Sequence, residues 1–439
     1  MKRKFEQIIG FIEELLASNQ LRPGDRLPSI RAMAEKFGCN KTTVIRAYKE
    51  LEFNHKLYAI PKGGYYLIEN KPPSHVANAA IDFTEVMPDP TLLPYKEFNH
   101  CINRAVDLYK EELFAYSDTQ GLLSLRTALV DHFADHQVFA SEDEMFITSG
   151  AQQAISILVK MTFPNGKRNI LVEQPTYSLI QKLVGLDGGH VLGIRRDFNG
   201  IDFLELERMF REEDVKYFYT IPRLHNPLGT SLTEKDKIRL VALAEKYDVY
   251  IVEDDYLADL DCNRAALPAY YYDVAGKVIY VKSFSKAFMP GIRLGAVVMS
   301  RILKQEFIAQ KRCADLHTNV LAQGALEIFL TSGMYKKHGM KVRDAYRKKM
   351  ACMGECIASA GVNRLDIEFF IPESGFFVWI RLGEKIDHRK LARRLSERNV
   401  QIKPNGNSFG ICIAKLSEGE IRTGVRVLCE EVSRLAGRE

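Results

Sequence analysis

The sequence predicts an α/β protein built on a mostly parallel sheet, preceded by a small domain of short helices and one β-hairpin. Two observations carry this. Beyond residue 80, short apolar runs alternate with helical stretches: Met145–Thr148, Ile170–Glu173, Tyr217–Ile221, Val249–Val252 and Val278–Val281. Strands separated by helices pair in parallel and are buried on both faces, so they read as continuous apolar runs. The first seventy residues show helical periodicity and turn signals instead. At 439 residues the chain has room for two or three domains.

Hydrophobic residues at 46% and charged residues at 27% describe an ordinary globular protein. No apolar stretch is long enough to span a bilayer, and Met1-Lys2-Arg3-Lys4 opens an amphipathic helix rather than an apolar leader, so no membrane partner is expected. The eight cysteines have no metal-ligand spacing, and Cys352 and Cys356, one helical turn apart, read as small core residues. Reduced thiols and a cytoplasmic location follow as the expectation. Residues 1–70 hold twelve Lys/Arg against eight Asp/Glu, a net of +4, while the whole chain carries 61 − 56 = +5. The excess positive charge therefore sits in the first domain, as in a nucleic-acid-binding module.

Phe5, Ile8, Ile9, Ile12, Leu15 and Leu16 define a first amphipathic helix. After the turn-rich Leu21–Pro28, Ser29 caps a short helix through Ile30, Met33 and Ala34 that ends at Gly38. Asn40 caps the next helix, whose inner face is Val44, Ala47, Tyr48 and Leu51. Two short helices joined by a tight turn make a helix-turn-helix, and Lys41, Thr42, Thr43 and Arg46 lie where a recognition helix meets phosphates and base edges. Leu57–Ile60 and Tyr65–Ile68, around Pro61-Lys62-Gly63-Gly64, read as a hairpin wing with Lys62 at a basic tip. The motifs Leu27-Pro28-Ser29-x-Arg31, Thr42-Thr43-Val44-x-Arg46-Ala47-Tyr48 and Gly63-Gly64-Tyr65-Tyr66 closely resemble the winged helix-turn-helix of GntR-type bacterial transcription regulators. That resemblance implies operator DNA as a partner, contacted by Ser29, Arg31, Asn40, Lys41, Thr42, Thr43, Arg46 and Lys62.

The first domain is placed at 1–68 and a polar, Pro-containing linker at 69–80. The second domain is placed at 81–439, with a smaller α/β lobe from about residue 330. The basic run Lys341–Lys349 reads as a solvated helix face, with a DNA contact there as the lesser reading.

Each apolar run delivers a polar group. Ser149-Gly150-Ala151-Gln152 opens a helix with small residues suited to hold an anion on backbone N–H groups. Glu173-Gln174-Pro175-Thr176-Tyr177 offers an aromatic ring to a flat ligand. His225-Asn226-Pro227 offers an amide, and Glu253-Asp254-Asp255-Tyr256 a carboxylate cluster. In Ser283-Phe284-Ser285-Lys286, the lysine follows a buried strand among small and apolar residues, which lowers its pKa and suits Schiff-base chemistry. Ser283 and Arg293 beside it suit a phosphate.

In this order the motifs resemble the fold-type I aminotransferases, whose cofactor is pyridoxal 5′-phosphate. The resemblance implies that Lys286 carries the Schiff base and that Asp254, rather than Asp255, faces the pyridine nitrogen. It implies that Asn226 and Tyr256 bond the ring oxygen, that Tyr177 stacks on the ring, and that Gly150, Ala151, Gln152, Ser283 and Arg293 hold the phosphate. Tyr116, in Tyr116-x-Asp118-x-x-Gly121, resembles the tyrosine lent to a neighbouring subunit's phosphate. A GntR-type reader fused to such a domain is similar to the MocR regulators. That family implies a head-to-tail homodimer and a sensor for a small amine effector or for the cofactor itself.

The sequence departs from the aminotransferase pattern where a substrate would be gripped. Gly410, in Ser408-Phe409-Gly410-Ile411-Cys412, occupies the place of an arginine expected just before the final strand, and Val86 that of a glycine. Losing a charge-assisted pair to the substrate carboxylate forfeits ~1.5–3 kcal/mol. The reading is a pyridoxal-phosphate-dependent, ligand-responsive transcription regulator. The alternative is an active aminotransferase carrying a DNA-binding domain, and a third class, a DNA-binding protein with an idle dimerisation scaffold, has no need of Lys286, Asp254, Asn226 and Arg293 together.

Overall fold

The computed structural model describes residues 4–436 apart from 19, 22–23, 55, 61–62, 69–79, 264–265, 361–366 and 405. Lys62 and nearly all of the expected linker lie outside the described residues. The chain divides into two compact units, Met1–Asn78 and Ala79–Glu439.

In the first unit, helices Lys4–Ala17, Ile30–Phe37 and Lys41–Phe53 precede an antiparallel pair, Leu57–Ile60 with Gly64–Leu67. Ile8, Ile12, Met33, Val44, Ala47, Tyr48 and Leu51 are buried in one cluster with Leu57 and Leu67, so the wing closes the same core as the helices. The Ser29 side chain accepts from Ala32 N–H, and Gly38 ends the helix in the left-handed region at φ 55°. Asn40 occupies the N-cap position of the third helix, but its side chain makes no capping bond there; its carbonyl takes the Thr43 N–H instead. Tyr48 is fully buried, and its hydroxyl donates to the Pro28 carbonyl, tying the recognition helix to the chain just before the second helix.

The second unit is organised by an eight-stranded sheet. Its order is Met145–Thr148, Gly295–Val298, Val278–Ser283, Tyr250–Asp254, Val215–Thr220, Asn169–Gln174, Val191–Asp197 and Gly200–Ile201. Pairing is parallel from Val278–Ser283 through Val191–Asp197. The strand Gly295–Val298 runs antiparallel to both neighbours, and Gly200–Ile201 runs antiparallel at the edge. All five apolar runs read from the sequence are strands. Beyond them, Ile367–Phe370, Phe377–Leu382 and Ser408–Cys412 form a three-stranded antiparallel sheet. The helices Met334–Ser359 and Glu418–Leu435 contribute buried residues to the same apolar cluster.

The basic run on Met334–Ser359 is not uniformly solvated. Arg347 and Lys348 pair with Asp344 on the exposed face. Lys349 points inward instead, 2.7 Å from Asp89 and bonded to the Ala414 carbonyl. It joins the start of the unit to the small lobe. Among the described residues, no helix is long and apolar enough to cross a membrane.

Candidate functional site

The parallel strands all end on one side of the sheet, the edge where open α/β sheets place ligands. A cavity of about 310 Å³ opens there, and its lining includes Ala151, Gln152, Tyr177, Asn226, Asp254, Tyr256, Ser283, Lys286 and Arg293. Residues more than a hundred positions apart in sequence thus meet around one space. Val86, Ile155, Ile221 and Ser285 also line it. Of these four, only Val86 is marked out by its sequence context.

Gly150 precedes the helix Ala151–Lys160 at φ 82°, a conformation that favours glycine. A Cβ there would lie 2.9 Å from the Arg293 guanidinium, so glycine lets that cation close over the helix N-terminus. Backbone N–H groups, a positive helix end and a guanidinium converge, which is the chemistry of a phosphate site. Ser283 is buried beside them and accepts from the Ser285 N–H.

Asp254 ends its strand and lies in the cavity wall. Burial pushes its carboxyl up to about 7, against the Tyr219 hydroxyl that donates to one oxygen. The other oxygen is buried without a hydrogen-bond partner among the described residues. A protonated ring nitrogen is the kind of donor this atom lacks. Asp255, one residue on, turns the other way, to Arg223 and the Tyr280 hydroxyl, which hold it below the ordinary carboxylate range despite its burial.

Burial also lowers the pKa of Lys286, with Arg293 acting in the same sense. Its Nζ donates to the Val86 carbonyl at 2.9 Å. The Tyr256 hydroxyl donates to the Leu224 carbonyl at 3.1 Å. Asn226 is carried by a loop whose base is pinned by a buried network. Glu173 accepts from Arg196, Thr220 and the Ile221 N–H, and His225 Nε2 lies 3.0 Å away. Tyr116 is outside the cavity and 88% exposed.

Gly410 lies within the strand Ser408–Cys412, not ahead of it. A Cβ at this position would come within 2.8 Å of Pro227 Cβ and 3.0 Å of its carbonyl oxygen. The space that an arginine stem would need is filled by the loop that carries Asn226.

In the first unit, Ser29, Arg31, Asn40, Lys41, Thr42 and Arg46 are exposed and Thr43 is half-buried. The Arg46 guanidinium lies 5.0 Å from the Phe5 ring centre. Lys41, Thr42, Thr43 and Arg46 fall in the first two turns of their helix, the part that enters a major groove. Arg46→Ala should weaken specific operator binding by ~1–3 kcal/mol if it reads a base, measured by titration of labelled DNA at fixed salt.

Comparison with known proteins agrees with this geometry. Residues 89–428 match the family described as aminotransferase class I and II, and residues 4–67 match the bacterial regulatory proteins of the gntR family. The chain is 41% identical over 440 residues to the HTH-type transcriptional regulator YcxD of Bacillus subtilis, covering 97% of this chain and 99% of that one. It is 28% identical to the 2-aminoadipate transaminase of Thermus thermophilus, over 79% of this chain and 89% of that enzyme. Among solved structures it is similar to LysN, an alpha-aminoadipate aminotransferase of Thermus thermophilus complexed with N-(5′-phosphopyridoxyl)-L-leucine. There the TM-score is 0.73 at 27% identity, covering 82% of this chain and 93% of that one. The chain therefore belongs to the class I and II aminotransferase family, in the MocR-like form that carries a GntR helix-turn-helix ahead of the aminotransferase domain.

Proposed function

We propose that this protein is a pyridoxal 5′-phosphate-binding transcription regulator that responds to a small amine or to the cofactor itself. The observation that carries the reading is a contrast within one cavity: Lys286, Asp254, Asn226, Tyr256, Tyr177 and Arg293 line it, while a Cβ at Gly410, the place of the carboxylate-gripping arginine, would meet Pro227. The bound cofactor supplies an electrophilic carbon and an electron sink. Arg293 and the N–H groups at Ala151–Gln152 would hold its phosphate, and Asp254 the proton on its ring nitrogen. Tyr177 would cover the ring face, and Asn226 and Tyr256 would bond the phenolic oxygen. Lys286, whose pKa burial lowers, would be the amine that bonds the cofactor's carbonyl carbon.

The cradle suits amine exchange better than transamination, because no arginine at position 410 orients an α-carboxylate for later proton transfers. Positioning of that kind is a large share of catalysis. Operator DNA is the proposed partner of the first unit, and a head-to-tail homodimer the proposed assembly. In such a dimer Tyr116, exposed in the single chain, would reach the partner's phosphate. Residues 1–68 form the reader, 69–80 the tether and 81–439 the sensor in this reading. Effector binding can bias the readers only by its differential affinity for their two arrangements.

The test mixes the cofactor-loaded protein with L- and D-amino acids and keto acids, following the visible spectrum, released product and operator affinity. Spectral change without turnover, with altered operator affinity, is expected. Sustained turnover of a common α-amino acid at ~1 s⁻¹ or faster, a rate ordinary for enzymes, would replace the sensor with an active aminotransferase.

A further inference from the structure

Away from that cavity, three side chains from two distant parts of the second unit converge on one point. His132 lies on the helix Leu123–Ala134, His136 on the turn just after it, and Asp259 on the short helical turn Ala258–Leu260. His136 Nε2 is 3.2 Å and His132 Nε2 3.5 Å from the same carboxylate oxygen, Asp259 Oδ1. The three ligand atoms lie within 4.8 Å of one another. We propose that His132, His136 and Asp259 form a binding site for a divalent transition-metal ion, Zn²⁺ in the first instance.

Bonds of about 2.0–2.2 Å to imidazole nitrogen and carboxylate oxygen, set at tetrahedral angles, separate neighbouring ligand atoms by roughly 3.3 Å. The two measured nitrogen–oxygen separations bracket that value. Two imidazoles and one carboxylate are a borderline-soft donor set, which suits Zn²⁺ or Co²⁺ better than Mg²⁺ or Ca²⁺. The carboxylate is held for the purpose by its other oxygen. Asp259 Oδ2 is 2.7 Å from Lys282 Nζ and accepts from the Tyr335 hydroxyl at 2.9 Å. Such outer partners fix a ligand's orientation and leave the facing oxygen free. His132 Nε2 is buried, and its 3.5 Å approach to Asp259 Oδ1 is a long, weak contact that leaves the nitrogen poorly satisfied.

A cavity of about 140 Å³ adjoins the cluster and leaves room for water at a fourth position. The opposing charges are accounted for. Arg223 is paired with Asp255, Lys336 with Asp135, and Arg343 donates to the Asp259 backbone carbonyl. Among the described residues, Lys282 is the one Lys or Arg bound directly to the ligating carboxylate, and it is the main electrostatic cost of the site. The competing account of the cluster is a buried Lys282–Asp259 pair flanked by two histidines, and that account predicts no metal.

The experiment uses full-length, tag-free, cofactor-loaded protein, stripped with a chelator and titrated with Zn²⁺ by calorimetry and with Co²⁺ by visible difference spectra. One Zn²⁺ per chain is expected, with Co²⁺ ligand-field bands of a low-coordinate site. His136→Ala should reduce Zn²⁺ affinity at least ~10–100-fold, the loss caused by disturbing even an outer partner of a metal ligand. The cofactor's own visible band should persist in that variant, which separates loss of metal from loss of fold. If the alanine variant loses that band, the partly exposed His136 is replaced by glutamine and the titration repeated. Wild-type protein that takes up no stoichiometric Zn²⁺, or a folded His136 variant that binds it as tightly as the wild type, overturns the proposal.

Discussion

Lys286→Ala protein, incubated with excess pyridoxal 5′-phosphate and freed of unbound cofactor, is expected to stay colourless where the wild type is yellow. The effect should be complete, because among the described residues no other lysine lines the cavity. Lys282, four residues earlier, is the nearest alternative in sequence. It is buried 2.7 Å from Asp259 and does not line the cavity, so it is not placed for attack on a carbonyl there. Among the described residues, Lys286 has only the Val86 carbonyl as a hydrogen-bond partner, and burial lowers its pKa. The phosphate cradle of Gly150, Ala151 and Arg293 remains in the variant, so weak, non-covalent cofactor binding should survive and be detectable by calorimetry. A visible band of wild-type intensity in Lys286→Ala would show that the cofactor is attached elsewhere.

The meeting of these residues in one cavity is legible because each polar group follows a buried apolar run, and parallel strands bring those run ends to one edge. The Asp254–Asp255 ambiguity has a simple origin. Neighbouring positions at a strand end face opposite ways, and only the partners of each carboxylate say which one looks into the cavity. Arg223, which claims Asp255, sits in a loop 32 residues away with nothing local to announce its role. The strand Gly295–Val298 reads as apolar in sequence, but its antiparallel direction rests on the register of Ser283 with Gly295. Val191–Asp197 escaped notice because Arg195, Arg196 and Asp197 interrupt its apolar character. Arg196 is nevertheless fully buried, since Glu173 awaits it on the adjacent strand. The solvated reading of Lys341–Lys349 failed at Lys349 for the same reason: Asp89, its partner, is 260 residues away. The His132–His136–Asp259 convergence spans more than 120 residues and has no sequence signature beyond two histidines four apart.

The buried pair of Arg196 and Glu173 carries the largest stability effect expected from a single substitution. Both side chains are fully buried, and Arg196 also donates to the Ile221 carbonyl, at the foot of the loop that bears Asn226. Arg196→Met keeps much of the apolar volume but leaves Glu173 without its main counter-charge, which should cost ~3–5 kcal/mol. Against the opposing effect of burial, Arg196 and then the adjacent His225 hold the Glu173 pKa down to about 2, while burial and then Arg196 push His225 down to about 4. Wild-type Glu173 therefore contributes stability that is present above its ordinary pKa of 4.5 and is lost as pH falls toward 2. Buried, neutral His225 likewise favours the folded state above 6.5, and that contribution is lost as pH falls from 6.5 to 4. Removing Arg196 raises both folded-state values, so the folded variant binds more protons than the folded wild type. The stability gap should then be widest near neutrality and shrink on acidification from about pH 6.5 downward. Urea unfolding followed by the emission of Trp379, the single tryptophan, measures it in this unit. Replacing both partners, Arg196→Met with Glu173→Gln, should recover much of the loss, because no unpaired charge is then buried. A gap that is independent of pH, or a double variant no more stable than Arg196→Met alone, would mean that Arg196 acts by packing and not as the counter-ion of Glu173.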